Sequence, residues 1–305
     1  MLTKVIVTGA SGFLGTALVE CLREKDIEVY AIVRTKSRHN GRLDKKDLGL
    51  HVIRCEMSDY GSLGNIIQNA FPDIDSIDAI FHLAWADIPG IQGQIINIQS
   101  MYNVLESARE MNISRFIGVG SQAEYGIVLK EEMMVESYPV NPNTMYGASK
   151  VAICYLSKSV AEHYGIEWAW GRVFSVIGKR EPDIRMMWSL YKTLKSGEVA
   201  HLSSCSQNWD YLDVYDAAEA LICLAEKGRD GEVYNIANGN FRPLKEFTEE
   251  LKRTFAPSGI INYGDDISPY RTLQPSVQKI FEDTGWRAKR SFADSIMSYQ
   301  EHDAE

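Results

Sequence analysis

Short apolar runs alternate with longer amphipathic stretches through the first half of the chain. Val5-Ile6-Val7 reads as a strand, and Phe13 to Arg23 as a helix with Leu14, Leu18, Val19 and Leu22 along one side. Val29 to Val33 and His51-Val52-Ile53 read as strands, Ile66 to Phe71 as helical, and Ala79-Ile80-Phe81-His82-Leu83 as a buried strand. A helix over Ile95 to Ala108 and a strand over Arg115 to Val119 follow. Uninterrupted apolar strands separated by amphipathic helices are covered on both faces, which predicts a doubly wound, parallel α/β sheet.

After Arg172 the rhythm loosens. Prolines enter at Pro182, Pro243, Pro257, Pro269 and Pro275, although Asp213 to Glu226 still reads as a helix and Glu232 to Ile236 as a strand. A smaller, less regular α/β lobe is therefore expected on the carboxyl side of the sheet. The expected division gives residues 1–174, with 210–237 returning, to the larger domain, and 175–209 with 238–305 to the smaller lobe.

Charge and cysteine usage narrow the class. The 305 residues carry 41 acids against 32 bases, a net charge of −9, which argues against nonspecific binding to nucleic acid or to an anionic membrane surface. The start, Met1-Leu2-Thr3-Lys4, lacks a signal-peptide layout, and no apolar run approaches the ~20 residues of a membrane span. Five scattered cysteines without a CxxC pair point to a reduced, cytoplasmic protein. The six histidines show no metal-ligand spacing, so no metal is expected, and His82 reads as a core residue.

Candidate chemistry begins at Gly9-Ala10-Ser11-Gly12-Phe13-Leu14-Gly15, between the first strand and the first helix. Glycines there permit a tight turn, close backbone approach to a pyrophosphate and close helix–strand packing, while the helix N-terminus favours an anion. The second strand ends in Val33-Arg34-Thr35-Lys36-Ser37-Arg38, with no acid to accept from a ribose 2′-hydroxyl. Arg34, supported by Arg38 or Lys36, suits a 2′-phosphate, so NADP is expected ahead of NAD. Further on, Tyr146 and Lys150 stand four residues apart on a predicted helix, and Ser121 follows a strand. An ammonium beside a phenol, ordinarily ionising near ~10, favours the phenolate and fits it for proton transfer.

With these motifs in order, the chain resembles the extended short-chain dehydrogenase/reductase family of nucleotide-sugar epimerases, dehydratases and reductases. The resemblance extends through Phe81-His82-Leu83-Ala84, Asn97, Arg172 to Gly178, Asp210-Tyr211-Leu212-Asp213-Val214, Tyr234-Asn235-Ile236 and Gly285-Trp286. It implies a Rossmann-type domain for the cofactor, a C-terminal lobe for a nucleotide sugar, and Ser121, Tyr146 and Lys150 as catalytic residues. The implied cofactor contacts are Gly9, Ser11, Gly12, Phe13, Leu14, Gly15, Arg34, Arg38, Glu56, Met57, Leu83 and Ala84, besides Tyr146 and Lys150. It also implies a homodimer pairing Ile95–Ala108 with Tyr146–Glu162 across a two-fold axis, with Val151, Ile153, Leu156 and Val160 available for burial there or on the sheet.

Departures from the family pattern narrow the reaction. Where dehydratases resemble one another in Thr-Asp-Glu-x-Tyr-Gly, this chain has Ser121-Gln122-Ala123-Glu124-Tyr125-Gly126. Gln122 and Ala123 exchange no proton at neutral pH, and Glu124, one position on, is expected to face away. Ser175 stands where relatives carry an asparagine, and Trp209 where they carry an arginine. Gln122, Ser175, Trp209 and Arg271 are the expected substrate contacts, with Lys179 or Arg180 as further cations. The leading expectation is NADPH-dependent reduction of a nucleotide-linked 4-keto-sugar. A nucleotide-sugar 4-epimerase using NAD is the alternative, and a non-catalytic dinucleotide-binding regulator is the alternative of another class.

Overall fold

The computed structural model describes residues 1–36, 39–43, 47–86, 88–128, 132–265 and 272–303. The first half runs β1 (Lys4–Thr8), α1 (Phe13–Glu24), β2 (Glu28–Val33), β3 (Leu50–Arg54), α2 (Leu63–Ala70), β4 (Ala79–His82), α3 (Gly90–Glu110) and β5 (Arg115–Ser121). Then come α4 (Met145–Tyr164), β6 (Glu167–Val173), β7 (Ser175–Ile177), α5 (Met186–Lys195), β8 (Ala200–Leu202), β9 (Asn208–Trp209) and β10 (Tyr211–Asp213). The chain ends with α6 (Val214–Lys227), β11 (Glu232–Ile236), β12 (Arg242–Pro243), α7 (Leu244–Phe255), β13 (Ile261–Tyr263), α8 (Gln278–Thr284), α9 (Phe292–Met297) and α10 (Tyr299–Asp303).

Among the described residues, seven strands form one parallel sheet in the order β3-β2-β1-β4-β5-β6-β11. Alternation along each strand splits its side chains between two cores. Val5, Val7, Val29, Ala31, Phe81 and Ile117 pack with Leu18 and Leu22 of α1 and Leu221 and Leu224 of α6. Ile6, Tyr30, Ile32, Ile80 and Phe116 face Met101, Val104 and Leu105 of α3 and Ile153 of α4. Both faces are therefore sealed. A third core, built on Trp188, Tyr191, Leu251, Phe292 and Tyr299, gathers α5, α7, α9 and α10 in the carboxyl-terminal part.

Two features escape the hydrophobic pattern. β6, Glu167-Trp168-Ala169-Trp170-Gly171-Arg172-Val173, lacks the Val/Ile run of a parallel strand, yet it lies between β5 and β11. Its tryptophans enter the α3/α4 core, where Trp168 Nε1 donates to Ser157 Oγ at 2.9 Å. On α4, Ile153 is buried in the sheet core, whereas Leu156 stays exposed beside Tyr155.

The strand order reverses between β1 and β4. Loops leaving the carboxyl ends of these two strands diverge and open a crevice, the usual ligand position in such a sheet. Among the described residues no helix is long and apolar enough to cross a membrane.

Candidate active site

Gly9 follows β1 with φ +68°, a left-handed conformation, and a Cβ there would stand 2.7 Å from the Ala84 backbone nitrogen after β4. Glycine alone satisfies both constraints. Gly15 packs against the Gly9 carbonyl, which brings α1 close under the loop. Gly12 caps α1 without a side-chain hydrogen bond, and no acid occupies the first turn. The first N–H groups of α1 therefore offer themselves to an anion.

Two cavities run along this crevice. One, of about 220 Å³, is lined by Gly9, Ser11, Gly12, Arg34, Met57, Leu83 and Ala84, together with His39, Tyr60 and Trp85. The other, of about 310 Å³, is lined by Gly12, Phe13, Leu14, Gly15, Leu83, Trp85, Ser121, Tyr146, Lys150 and Ser175. The glycine loop is shared by both, so a dinucleotide laid across it has a half-site at either end, and the residues present fit that group. Arg38 lies outside the described residues. Glu56, expected among the cofactor contacts, accepts from the Thr35 N–H at 2.8 Å with its carboxylate and holds the turn after β2. His39 and Arg42, whose Nη1 donates to the Ser11 carbonyl at 3.4 Å, join this end of the cleft from the basic loop. That loop showed its charge in sequence but not its direction.

Ser121 ends β5, and its Oγ receives the Ala123 N–H at 3.2 Å. Thr144 caps α4 by accepting from the Gly147 N–H at 3.0 Å. A side chain at Gly147 would collide with the Ala123 carbonyl, so only glycine lets α4 start against the turn after β5. This packing sets Tyr146 beside Ser121. The Tyr146 ring is 39 % exposed to the cleft. Desolvation by the cleft walls nevertheless raises its phenol above the ordinary 10.0, opposed by the Ser121 hydrogen bond and the Arg185 charge. Lys150 was expected to tune this phenol. Its Nζ lies 5.8 Å from the Tyr146 ring centroid and donates to the Val119 carbonyl at 2.8 Å. Arg185, at the start of α5, is a further cation that lowers the Tyr146 phenol, and no sequence pattern marked it.

A third cavity, of about 440 Å³, adjoins Tyr146 and is lined by Ser121, Gln122, Ala123, Val128, Thr144, Arg185, Trp209 and Leu273. Gln122 and Trp209 thus reach the expected substrate side. Ser175 lies on the cofactor side of Tyr146, its Oγ donating to Gln122 Oε1 at 3.4 Å. Arg271 lies outside the described residues. Lys179 and Arg180, expected as further cations, are paired with carboxylates: Lys179 Nζ binds Glu301 at 3.0 Å, and Arg180 Nη1 binds Glu20 of α1 at 3.1 Å.

Glu124 faces away, as its register suggested. It is fully buried and receives Arg172 Nε at 2.7 Å, Trp170 Nε1 at 2.9 Å and the Ser121 N–H at 2.9 Å. Arg172 also donates to the Tyr125 hydroxyl and the Glu136 carbonyl, both at 3.1 Å, and Tyr125 donates to Asn235 Oδ1 at 2.7 Å. Arg172 and the Tyr234-Asn235-Ile236 segment therefore brace the wall behind Ser121. His82 is buried, shares a 2.9 Å hydrogen bond with Thr8 Oγ1, and is held neutral by burial, its pKa lowered to about 3.

Comparison with known proteins agrees with this construction. Residues 5–237 match the model of the NAD dependent epimerase/dehydratase family. The human dTDP-D-glucose 4,6-dehydratase is 25 % identical over 317 aligned positions, covering 96 % of this chain and 87 % of that protein. The structure of a Thermotoga maritima UDP-glucose 4-epimerase with UDP-glucose superposes with a TM-score of 0.85 at 21 % identity, covering 99 % of each chain. That of RMD from Pseudomonas aeruginosa complexed with NADPH gives 0.83 at 21 % identity, covering 99 % of this chain and 100 % of the other. With its glycine loop, its Ser121–Tyr146–Lys150 cleft and a family match over most of its length, the chain belongs to the NAD dependent epimerase/dehydratase family.

Proposed function

We propose that this protein is an NADPH-dependent reductase of a nucleotide-linked 4-keto-sugar, with Tyr146 as general acid. The observation that carries the reading is the composition of the site: among the described residues lining the two cavities around Tyr146, none is a carboxylic acid. One proton carrier suffices to reduce a carbonyl, whereas eliminating water calls for a further acid and base. Gln122 and Ala123 supply neither, and Glu124 is occupied by Arg172. A dehydratase is disfavoured on that ground, despite the dehydratases among the similar proteins.

When bound, the dinucleotide supplies the two-electron reduction that no side chain can. Tyr146 delivers its hydroxyl proton to the carbonyl oxygen. Ser121 Oγ already accepts from the Ala123 N–H, so its own O–H is available to donate to that oxygen. Arg185 favours the phenolate left behind. Lys150 keeps donors for the ribose hydroxyls. Arg34, lining the far cavity, supports a 2′-phosphate and hence NADPH. In this reading residues 1–174 with 210–237 carry the dinucleotide, and 175–209 with 238–305 carry the nucleotide sugar.

The same three residues suit a 4-epimerase, and the likeness to the UDP-glucose 4-epimerase structure supports that second reading. Two incubations separate them, one with NADPH and a nucleotide-linked 4-keto-sugar and one with NAD and the corresponding 4-hydroxy nucleotide sugar. Stoichiometric loss of NADPH with formation of the 4-hydroxy sugar is the expected result. Interconversion of 4-epimers without net consumption assigns the epimerase, and loss of water from the sugar without added reductant overturns both. We also infer a homodimer through α3 and α4, supported by exposed Ile91, Ile95, Tyr155 and Leu156. A monomer by light scattering at micromolar concentration would refute it.

A further inference from the structure

Trp85, in the loop after β4, touches both members of the Tyr146/Lys150 pair and has no task in the chemistry above. The centre of its indole ring lies 4.0 Å from Lys150 Nζ. The same ring meets Tyr146 edge-on, 5.1 Å between centroids at 77°. It also lines both cofactor-side cavities. Lys150 is only 7 % exposed, and among the described residues the Val119 carbonyl is its one hydrogen-bond acceptor. A buried ammonium with a single acceptor is poorly compensated. Besides the Glu124 carboxylate, the negative face of an aromatic ring compensates such a charge, and indole is the strongest such ring.

We propose that Trp85 is a positioning residue for Lys150: its ring face keeps the amine charged and fixed at the cofactor cleft, with a donor left over for a ligand. The consequence for a dinucleotide rests on the function proposed above, while the coupling of the two side chains does not.

The surroundings isolate this effect. Burial lowers Lys150 from the ordinary 10.5 to about 8, and the Glu124 carboxylate opposes that shift. His82 on β4 is held neutral by burial, its pKa about 3. Tyr146, one turn back on α4, is raised above 10.0, and Cys154, one turn on, is raised to about 12. Near pH 8 these three are uncharged, which leaves Glu124, the ring of Trp85 at 4.0 Å and the more distant ring of Tyr146 at 5.8 Å to set the charge of the amine. Losing a cation–π contact to a desolvated cation should move its midpoint down by about 0.4–1.5 units.

The test reads the NMR shift of the Lys150 Cε against pH in protein free of dinucleotide, the signal being identified by its loss in Lys150→Arg. Trp85→Leu fills space without a ring, and its midpoint should fall by that amount. Trp85→Phe keeps a ring and should recover most of the shift. Trp85→Met takes the place of the leucine variant if that one does not fold. An unmoved or raised midpoint in the leucine or methionine variant overturns the proposal, as does a phenylalanine variant that behaves like leucine. NADPH affinity, followed across the same pH range, should be lost at lower pH in Trp85→Leu than in Trp85→Phe. If the amine titration shifts as expected and unaltered protein binds no dinucleotide, the proposed function has failed and the Trp85–Lys150 coupling is supported.

Discussion

Glu124→Gln keeps the size of the side chain and removes its charge. One carboxylate oxygen receives Arg172 Nε at 2.7 Å; the other receives the Ser121 N–H and Trp170 Nε1, each at 2.9 Å. A glutamine oxygen can replace the second set. Its NH₂ then meets the guanidinium donor against donor, and Arg172, itself 4 % exposed, keeps only the Tyr125 hydroxyl and the Glu136 carbonyl. Breaking a buried pair in this way costs about 3–5 kcal/mol. At roughly 2.1 cal/mol/K per residue, the 305 residues carry an unfolding entropy of ~0.6 kcal/mol/K. The Tm should therefore fall by about 5–8 °C. Catalysis should respond differently, because the Ser121 N–H stays held and no proton passes through Glu124. Turnover well below both melting temperatures should stay within a few-fold, against the ~10²- to 10⁴-fold loss expected of an acid–base group. Thermal melting and steady-state turnover on one preparation check both. An unchanged Tm with turnover reduced a hundredfold would show Glu124 in the proton chemistry and sink the argument.

Tyr146→Phe keeps the ring against Trp85 and deletes the proton, so turnover should fall ~10²- to 10⁴-fold while NADPH affinity, measured by titration, changes little. Arg34→Ala should reduce the preference for NADPH over NADH by about 1.5–3 kcal/mol, roughly 10- to 150-fold in the ratio of dissociation constants; an unaltered ratio would refute the 2′-phosphate assignment. Glu181, 2 % exposed and accepting from the Tyr299 hydroxyl at 2.5 Å, is pushed by burial from the ordinary 4.5 up to about 7. Because the folded state prefers the protonated acid, stability falls as pH rises from about 4.5 to about 7 and then levels off, by about 3 kcal/mol for the 2.5-unit difference. Glu181→Gln should thus melt higher than the unaltered protein near pH 8, with the gap closing near pH 4.5; equal melting curves near pH 8 would contradict this.

The parallel sheet was legible from the chain because its strands are apolar on both faces and its turns carry glycine where only glycine fits. The Gly9-to-Gly15 loop and the four-residue spacing of Tyr146 and Lys150 are local: each lies within one turn and one helix, so sequence alone set them beside each other. Gln122 and Ala123 were equally readable, since their lack of a titratable proton does not depend on where they point. The partners of charged side chains were not. Lys179 and Arg180 have the charge to meet a substrate, but Glu301 and Glu20, far off in sequence, hold them. β6 hid its strand character because its residues suit particular partners, Trp168 for Ser157 and Arg172 for Glu124. Arg185 and Trp85 reach the Tyr146/Lys150 pair from loops after β7 and β4, and only tertiary packing directs them there. Periodicity records burial, which repeats along the chain, whereas the direction of a long polar or aromatic side chain is decided by whichever opposite charge or ring the fold brings within reach.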